Sequence, residues 1–301
     1  VSFTEAELFK DLHMTELSVE TITIPQLDKN NKPLRKRSFA VVLPYFNEAD
    51  FLERTLESWL NQTRKPDQLI LVDNGSTDGS ETVARRVLKD TGFMDVVYLH
   101  EFKQGKIHAL ETGCKAVNCE FIAMSDADTC YPSRYLELCE RLFDESGDRV
   151  SVLMALPEFN RPNAFPSRLR RRYYIGLHKI FPKHTFTGGY GQVFRASALK
   201  EAGGFSEKYW PHVLLDHEIM YRIFKQGLSR YHIDLWCQSS QRRKGRKQVR
   251  WNLFERLVYH FTPHAWQDWF FYRFLASRFA RRGLSHLRLR EKPWQKAKKK
   301  T

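Results

Sequence analysis

The chain reads as an α/β protein with a mostly parallel, Rossmann-like central sheet and helices on both faces. Two patterns predict this. Short apolar runs of about five residues alternate with segments whose apolar residues recur at helical spacing, the signature of strands joined by crossover helices. Several of those runs also end in a carboxylate, as in "LILVD" (69–73) and "FIAMSDAD" (121–128). In an open parallel sheet, ligands sit beyond the carboxyl ends of the strands.

The elements follow in order. "FAVVLPYF" (39–46) reads as a buried strand. Residues 47–63 read as a helix, with Asn47 as N-cap, acids in the first turn, and Leu52, Leu56, Trp59 and Leu60 on one face. A second strand in 68–80 runs into a Gly/Ser/Asp turn, followed by a helix over 78–90 and a strand over 95–100. Residues 105–117 are helical, with Ile107, Leu110, Cys114 and Val117 in phase. Residues 121–128 form the fourth strand and 133–146 the next helix. After Val150 the pattern loosens. Residues 168–181 mix Arg with aromatics, 187–205 are Gly-rich and then helical, 214–227 form a helix ended by Gly227, and 229–235 form a strand. Tested as an amphipathic helix, 266–282 does not gather Arg273, Arg278, Arg281 and Arg282 on one side.

Composition bounds the function. The 301 residues are 42% hydrophobic and 14% aromatic, a globular composition with room for a substantial core. The first residues carry no apolar signal-peptide core, and no run reaches roughly 18 uncharged apolar residues. Five cysteines without paired metal spacing suit reduced thiols in a cytosolic protein. The net charge of +14 is split: residues 1–150 carry 18 Lys and Arg against 26 Asp and Glu, and residues 151–301 carry 31 against 9. The second half therefore seeks an anionic partner, with a solvated basic face as the bland reading.

Asp73, Asp126 and Asp128 stand at strand ends, where burial without a partner is costly. A hard divalent cation or a donor on a nucleotide would satisfy them, and so would turn amides. The first strand turn, "PYFNEADF", lacks the glycines of a dinucleotide fold, and there is no P-loop.

In order and spacing, "VVLPYFNEADFLERTLESWLNQT", "LILVDNGSTDGS", "FKQGKIHALETG", "FIAMSDAD", "TGGYGQVFRASALKEAGGF" and "LLDHEIMYRI" resemble the family 2 glycosyltransferases of GT-A fold. The resemblance covers about residues 39–227. It implies inverting transfer of a sugar from a nucleotide-diphospho-sugar, with a UDP-sugar favoured, to a hydroxyl of a glycan or lipid-linked acceptor. Mg²⁺ or Mn²⁺ would assist. It implies that Pro44, Asn47, Glu48, Asp73, Lys106 and Asp126 bind the nucleotide, that Asp128 holds the metal and that Asp216 is the base. Gly188 and Gly189 would border the donor sugar and acceptor. Where the family writes a Glu–Asp pair this chain has Leu215–Asp216, with Glu218 as a partial replacement, and Asn74 stands where a second acid is common. Of the Q/R-x-x-R-W motif of some members, "KQVRW" keeps Arg250 and Trp251 in register, which would add them to the sugar pocket, but departs at the first position, where Lys247 keeps only the charge.

The expected organisation is an N-terminal extension (1–38), a GT-A domain (39–237) with a nucleotide-binding half (39–130) and an acceptor half (131–237), and a basic, aromatic-rich C-terminal helical extension (238–301). Aromatics beside arginines in that extension suit an anionic membrane surface. The expected location is cytoplasmic, peripheral on the inner face of the cell membrane, in cell-surface polysaccharide or glycolipid synthesis. Three rivals differ in class. No nucleic acid is expected as partner, because no nucleic-acid-binding module is present and acidic strand ends repel a polyanion. A nucleotidyltransferase would need a G-x-G-T-R loop that is absent. An inactive scaffold stays open because of Leu215.

Overall fold

The computed structural model describes residues 37–92, 94–158, 164–240 and 251–289. Strands and helices alternate through the first half: β1 (Phe39–Tyr45), α1 (Ala49–Leu60), β2 (Gln68–Asp73), α2 (Ser80–Val87), β3 (Asp95–His100), α3 (Lys106–Lys115) and β4 (Phe121–Met124). The second half adds β5 (Thr129–Cys130), α4 (Tyr135–Ser146), β6 (Val150–Glu158), α5 (Phe165–Ile180), β7 (Gln192–Arg195), α6 (Ala196–Glu201), α7 (Leu215–Ile223), β8 (Leu228–Ser239) and α8 (Leu253–Phe261). A helical rod closes it: α9 (Gln267–Trp269), a π-helical segment (Phe270–Leu275) and α10 (Ala276–Arg281).

All eight strands lie in one sheet of order β3-β2-β1-β4-β7-β6-β8-β5. β1 to β4 pair in parallel, with Tyr45 opposite Asp73 and Val42 opposite Met124. β7 is antiparallel to both β4 and β6, whereas β8 runs parallel to β6 and antiparallel to β5. The sheet is thus parallel in its first half and mixed beyond β4. β6 and β7 fall where the sequence pattern loosens.

Residues alternate across the sheet, as strand geometry requires. Val41, Leu43, Leu69, Leu71, Ala123 and Leu153 enter a core with α1, α2 and α4. Val42, Ile70, Val72, Ile122, Met124 and Met154 enter a second core with α3, α6 and α7. Tyr259 of α8 and Phe270, Phe271, Leu275 and Phe279 of the rod are buried in that second core. The described part of the basic extension thus contributes residues to the core, while Leu253, Phe254, Leu257, Phe261, Trp266 and Trp269 stay exposed. The five cysteines are free thiols. Among the described residues no helix is long and apolar enough to cross a membrane.

Candidate active site

The first two strand-to-helix loops interlock. Asn47, expected as an N-cap, is instead left-handed (φ 52°), and Glu48 occupies the cap position of α1. The Asn47 amide N–H donates to Ser76 Oγ (3.1 Å), and its side-chain Oδ1 accepts from the Thr77 N–H (2.7 Å). The Glu48 N–H donates to Ser80 Oγ (2.8 Å). Pro44, lacking an N–H, lies in β1 opposite Val72. Asp73 is buried, and its Oδ1 accepts from the amide and hydroxyl of Ser76 (2.9 and 2.6 Å). Its Oδ2 faces His100 Nδ1 at 3.8 Å. Turn chemistry therefore occupies half of this carboxylate.

Asn74 gives a physical reason for replacing an acid. Its side-chain nitrogen donates to the carbonyls of Glu101 and Lys103 (both 2.9 Å), and its oxygen accepts from the Gly105 N–H (2.8 Å). A carboxylate could accept the last bond but could not donate the first two.

The loop after β4 is held from beneath. Trp59 Nε1 donates to Ser125 Oγ (3.0 Å), Thr55 Oγ1 donates to the Ala127 carbonyl (3.0 Å), and the Tyr131 hydroxyl donates to the Tyr190 carbonyl (2.8 Å). Asp126 forms an ion pair with Lys106, the first residue of α3. Asp128 is 5% exposed, and its Oδ2 accepts from Ser240 Oγ (2.8 Å) at the end of β8. Two carboxylates two residues apart, one beside a lysine, offer the hard oxygen ligands that Mg²⁺ or Mn²⁺ takes.

Asp216 lies in the first turn of α7, where the helix dipole favours an anion. Leu214, at the cap, is left-handed (φ 63°), an uncommon conformation for a branched residue and one that clusters at functional sites. Asp216 Oδ2 accepts from the Gly189 N–H (2.7 Å), and its Oδ1 lies 3.3 Å from His217 Nδ1. The approach requires glycine: a Cβ at 189 would lie 2.9 Å from Asp216 Cβ, and one at 188 would lie 2.7 Å from the Tyr190 ring. Burial pushes the Asp216 carboxyl up, but His217, the Lys106 charge and the Gly189 amide outweigh it and hold it below the ordinary aspartate value. A carboxylate so held is ionised at neutral pH.

Two further placements qualify the sequence reading. Glu218, expected as a partial replacement for the acid missing at 215, is 1% exposed. Its oxygens are engaged by Arg222 within the same helix (2.7 and 2.9 Å) and by the Tyr272 hydroxyl (2.5 Å), which fastens α7 to the rod. Trp251 packs edge-on against His217 (4.8 Å) and on Tyr259 (5.0 Å), whereas Arg250 and Lys247 lie outside the described residues. Sequence reasoning missed Ser240, His184, Tyr231 and Tyr259. The Tyr259 hydroxyl accepts from the Thr185 N–H (2.8 Å), its carbonyl meets His184 Nε2 (3.1 Å), and the Tyr231 hydroxyl accepts from the Phe186 N–H (3.3 Å). These residues hold the segment leading into Gly188 and Gly189. Nothing local in the sequence links them to it.

Residues 40–203 match the family described as Glycosyl transferase family 2. Among curated proteins, the chain is 27% identical over 206 residues to the succinoglycan biosynthesis protein ExoA of Rhizobium meliloti, covering 64% of this chain and 60% of that one. It is 27% identical over 126 residues to glycosyltransferase AglE of Haloferax volcanii, covering 41% and 40%. The chain thus spans less than two thirds of either relative's length. Among solved structures it is similar to a mannosyltransferase of Pyrobaculum calidifontis in complex with GDP-Man and Mn²⁺ (TM-score 0.59, 21% identity, 80% of this chain and 67% of that one). It is also similar to S. aureus TarS in complex with UDP (TM-score 0.51, 16% identity, 81% and 72%). At these identities the structural likeness speaks for the fold.

Proposed function

The chain belongs to glycosyl transferase family 2, and from that premise we propose that it transfers a sugar, with inversion, from a nucleotide-diphospho-sugar to an acceptor hydroxyl. One observation carries the reading. The Lys106 ammonium is paired with Asp126 at a strand end, and its charge also acts on the Asp216 carboxylate. A cation that pairs with one acid and is felt by the other supports a reading in which a diphosphate and a general base would meet here.

In this reading Asp216 takes the acceptor's proton as the acceptor oxygen attacks the anomeric carbon. The bond from that carbon to the phosphate oxygen breaks, and its electron pair leaves with the diphosphate. General-base assistance of this kind contributes roughly 10²–10⁴-fold. Gly189 aims the base, and Lys106 offers positive charge to the departing phosphates. Asp128 would hold a divalent ion, which when bound neutralises charge on the leaving diphosphate, and Asp126 would meet the ribose side of the nucleotide. Asp73, with Asn47 and Glu48 in the loop beside it, would meet the nucleoside, a UDP-sugar being favoured. Gly188 and Trp251 would border the sugar.

Thermal shift with UDP, GDP, dTDP, CDP and ATP, with and without Mn²⁺, tests the donor side. A ligand bound by the native state alone raises its stability by mass action. The expected result is a Mn²⁺-dependent shift with UDP that disappears in Asp128→Asn. A shift with another nucleotide would change the donor; no shift with any would overturn the reading.

We further propose a cytoplasmic, peripheral location with a glycan or lipid-linked acceptor. On α5 the exposed residues Phe165, Leu169, Tyr173 and Ile180 interleave with exposed Arg168, Arg172 and Lys179 along one stripe. Apolar and basic residues together suit an anionic leaflet. Flotation with anionic liposomes at low salt is the test, and a protein that stays at the bottom of the gradient would refute it.

A further inference from the structure

We infer that His108, Glu207 and His286 form a second metal site, separate from the acids at the strand ends and suited to Zn²⁺ or a similar transition ion. The residues come from three distant segments: the first turn of α3, the loop after α6, and the short 3₁₀ turn His286–Leu289 beyond the rod. One ligand atom from each lies within 4.8 Å of the others. Glu207 Oε2 is 3.4 Å from His108 Nε2, and Oε1 is 3.1 Å from His286 Nε2.

Both imidazoles are more than nine-tenths buried, His108 at 6% and His286 at 2% exposure. Buried ring nitrogens ordinarily find a partner, yet His108 Nε2, which faces Glu207, makes no hydrogen bond, whereas His286 Nε2 bonds Glu207 Oε1 and its Nδ1, set against Gly105, makes none. The backbone is fitted to the second ring. A Cβ at residue 105 would fall 2.4 Å from the His286 ring, and Gly105 has φ +129°. His108, Glu207, Lys103 and Thr112 also line a cavity of about 550 Å³, through which an ion and a completing water can enter.

Two imidazoles and one carboxylate with an open fourth position are a familiar donor set for Zn²⁺. Imidazole suits Zn²⁺, whereas Mg²⁺ and Mn²⁺ prefer oxygen ligands, so the two sites would sort their ions by chemistry. Lys103 Nζ, 2.7 Å from Glu207 Oε2, is the resident competitor and must release that oxygen when the ion binds. The role follows from placement: an ion here would tie α3, which begins with Lys106, to the C-terminal end of the described chain.

The test uses the full chain carrying Asp128→Asn, stripped with chelator and titrated with Zn²⁺, then with Co²⁺ as a spectroscopic probe, in excess Mg²⁺. The expected result is a single tight Zn²⁺ per chain and a Co²⁺ visible band of a four-coordinate site. In His108→Gln and Glu207→Gln the affinity should fall by at least the roughly 10–100-fold that loss of a mere supporting contact costs a metal site. Absence of tight Zn²⁺ in the Asp128→Asn chain itself overturns the proposal without any further variant. So does uptake that is unchanged in Glu207→Gln, which keeps the shape of the glutamate and the local packing.

Discussion

The two sides of the candidate site are held by different means. On the donor side, Pro44, Asp73, Asp126 and Asp128 stand at the ends of strands that pair in parallel, and neighbouring loops fasten to one another through short polar side chains. On the proposed base side, Asp216 accepts from the Gly189 amide. The segment before Gly189 hangs on Tyr259 and Tyr231, and His217 is backed by Trp251. The first arrangement follows from topology; the second depends on aromatic packing from residues far along the chain. A donor site can thus be complete while the base is misplaced, so the two should fail separately.

The largest expected effect is that of Asp216→Asn, which should lower transfer by roughly 10²–10⁴-fold while leaving the nucleotide-induced thermal shift intact. Loss of both together would merge the two sides into one unit. Gly189→Ala should come next. Its Cβ would crowd the Asp216 Cβ, and a base displaced by about 1 Å costs on the order of 10²-fold in rate. A kcat equal to that of the parent would show that the close approach is not needed.

A third test asks whether the C-terminal part melts with the sheet. Glu255 is fully buried in a capping box with Asn252, and it receives Arg278 and Arg282 (2.9 Å each). Burial raises its pKa, but the Asn252 amide and the two arginines bring it below the ordinary value. Its contribution is therefore present above the usual glutamate range and lost as pH falls through the lowered value. Glu255→Gln should cost about 1–3 kcal/mol and lower one shared unfolding transition. Two transitions, one of them unmoved, would separate the C-terminal part from the sheet.

The smallest effect concerns His260, stacked on Phe186 at 5.5 Å, where burial pushes the imidazole down to about 4 from an ordinary 6.5. The unfolded chain takes up this proton first as the solution is acidified. Stability should hold above pH 6.5 and decline toward pH 4. His260→Phe should flatten that slope in urea titrations at several pH values, and an unchanged slope would remove His260 from the account.

The same contrast explains what was legible in the sequence. Strand-end acids could be read because parallel topology assigns strand ends a meaning. β6, "VSVLMALPE", is buried along its whole length just as β1 is, and the apolar-run signal that revealed β1 was open to the same reading there. The rod resisted a helical-period test because the π-helical segment Phe270–Leu275 shifts the phase partway, so Arg273 and Arg278 cannot share one 3.6-residue register. Glu218 looked like a spare acid because its partners, Arg222 and Tyr272, are a turn and fifty-four residues away. The capping box at Asn252 and Glu255 was there to be found by its spacing.

The three bonds made by the Asn74 side chain also bear on how the molecule ages. Asn74 precedes Gly75, a pairing prone to deamidation, in which the glycine nitrogen attacks the side-chain carbonyl carbon, ammonia leaves, and water opens the resulting cyclic imide to a carboxylate. Here that amide is clamped at both ends by the carbonyls of Glu101 and Lys103 and the N–H of Gly105. The native fold should therefore slow this reaction, and denaturant should release it. Should it occur, the new carboxylate would face two carbonyl oxygens and repel the chain that leads to Lys106. Peptide mapping of samples stored folded and in urea would show the modification at Asn74 accumulating in the second and not in the first.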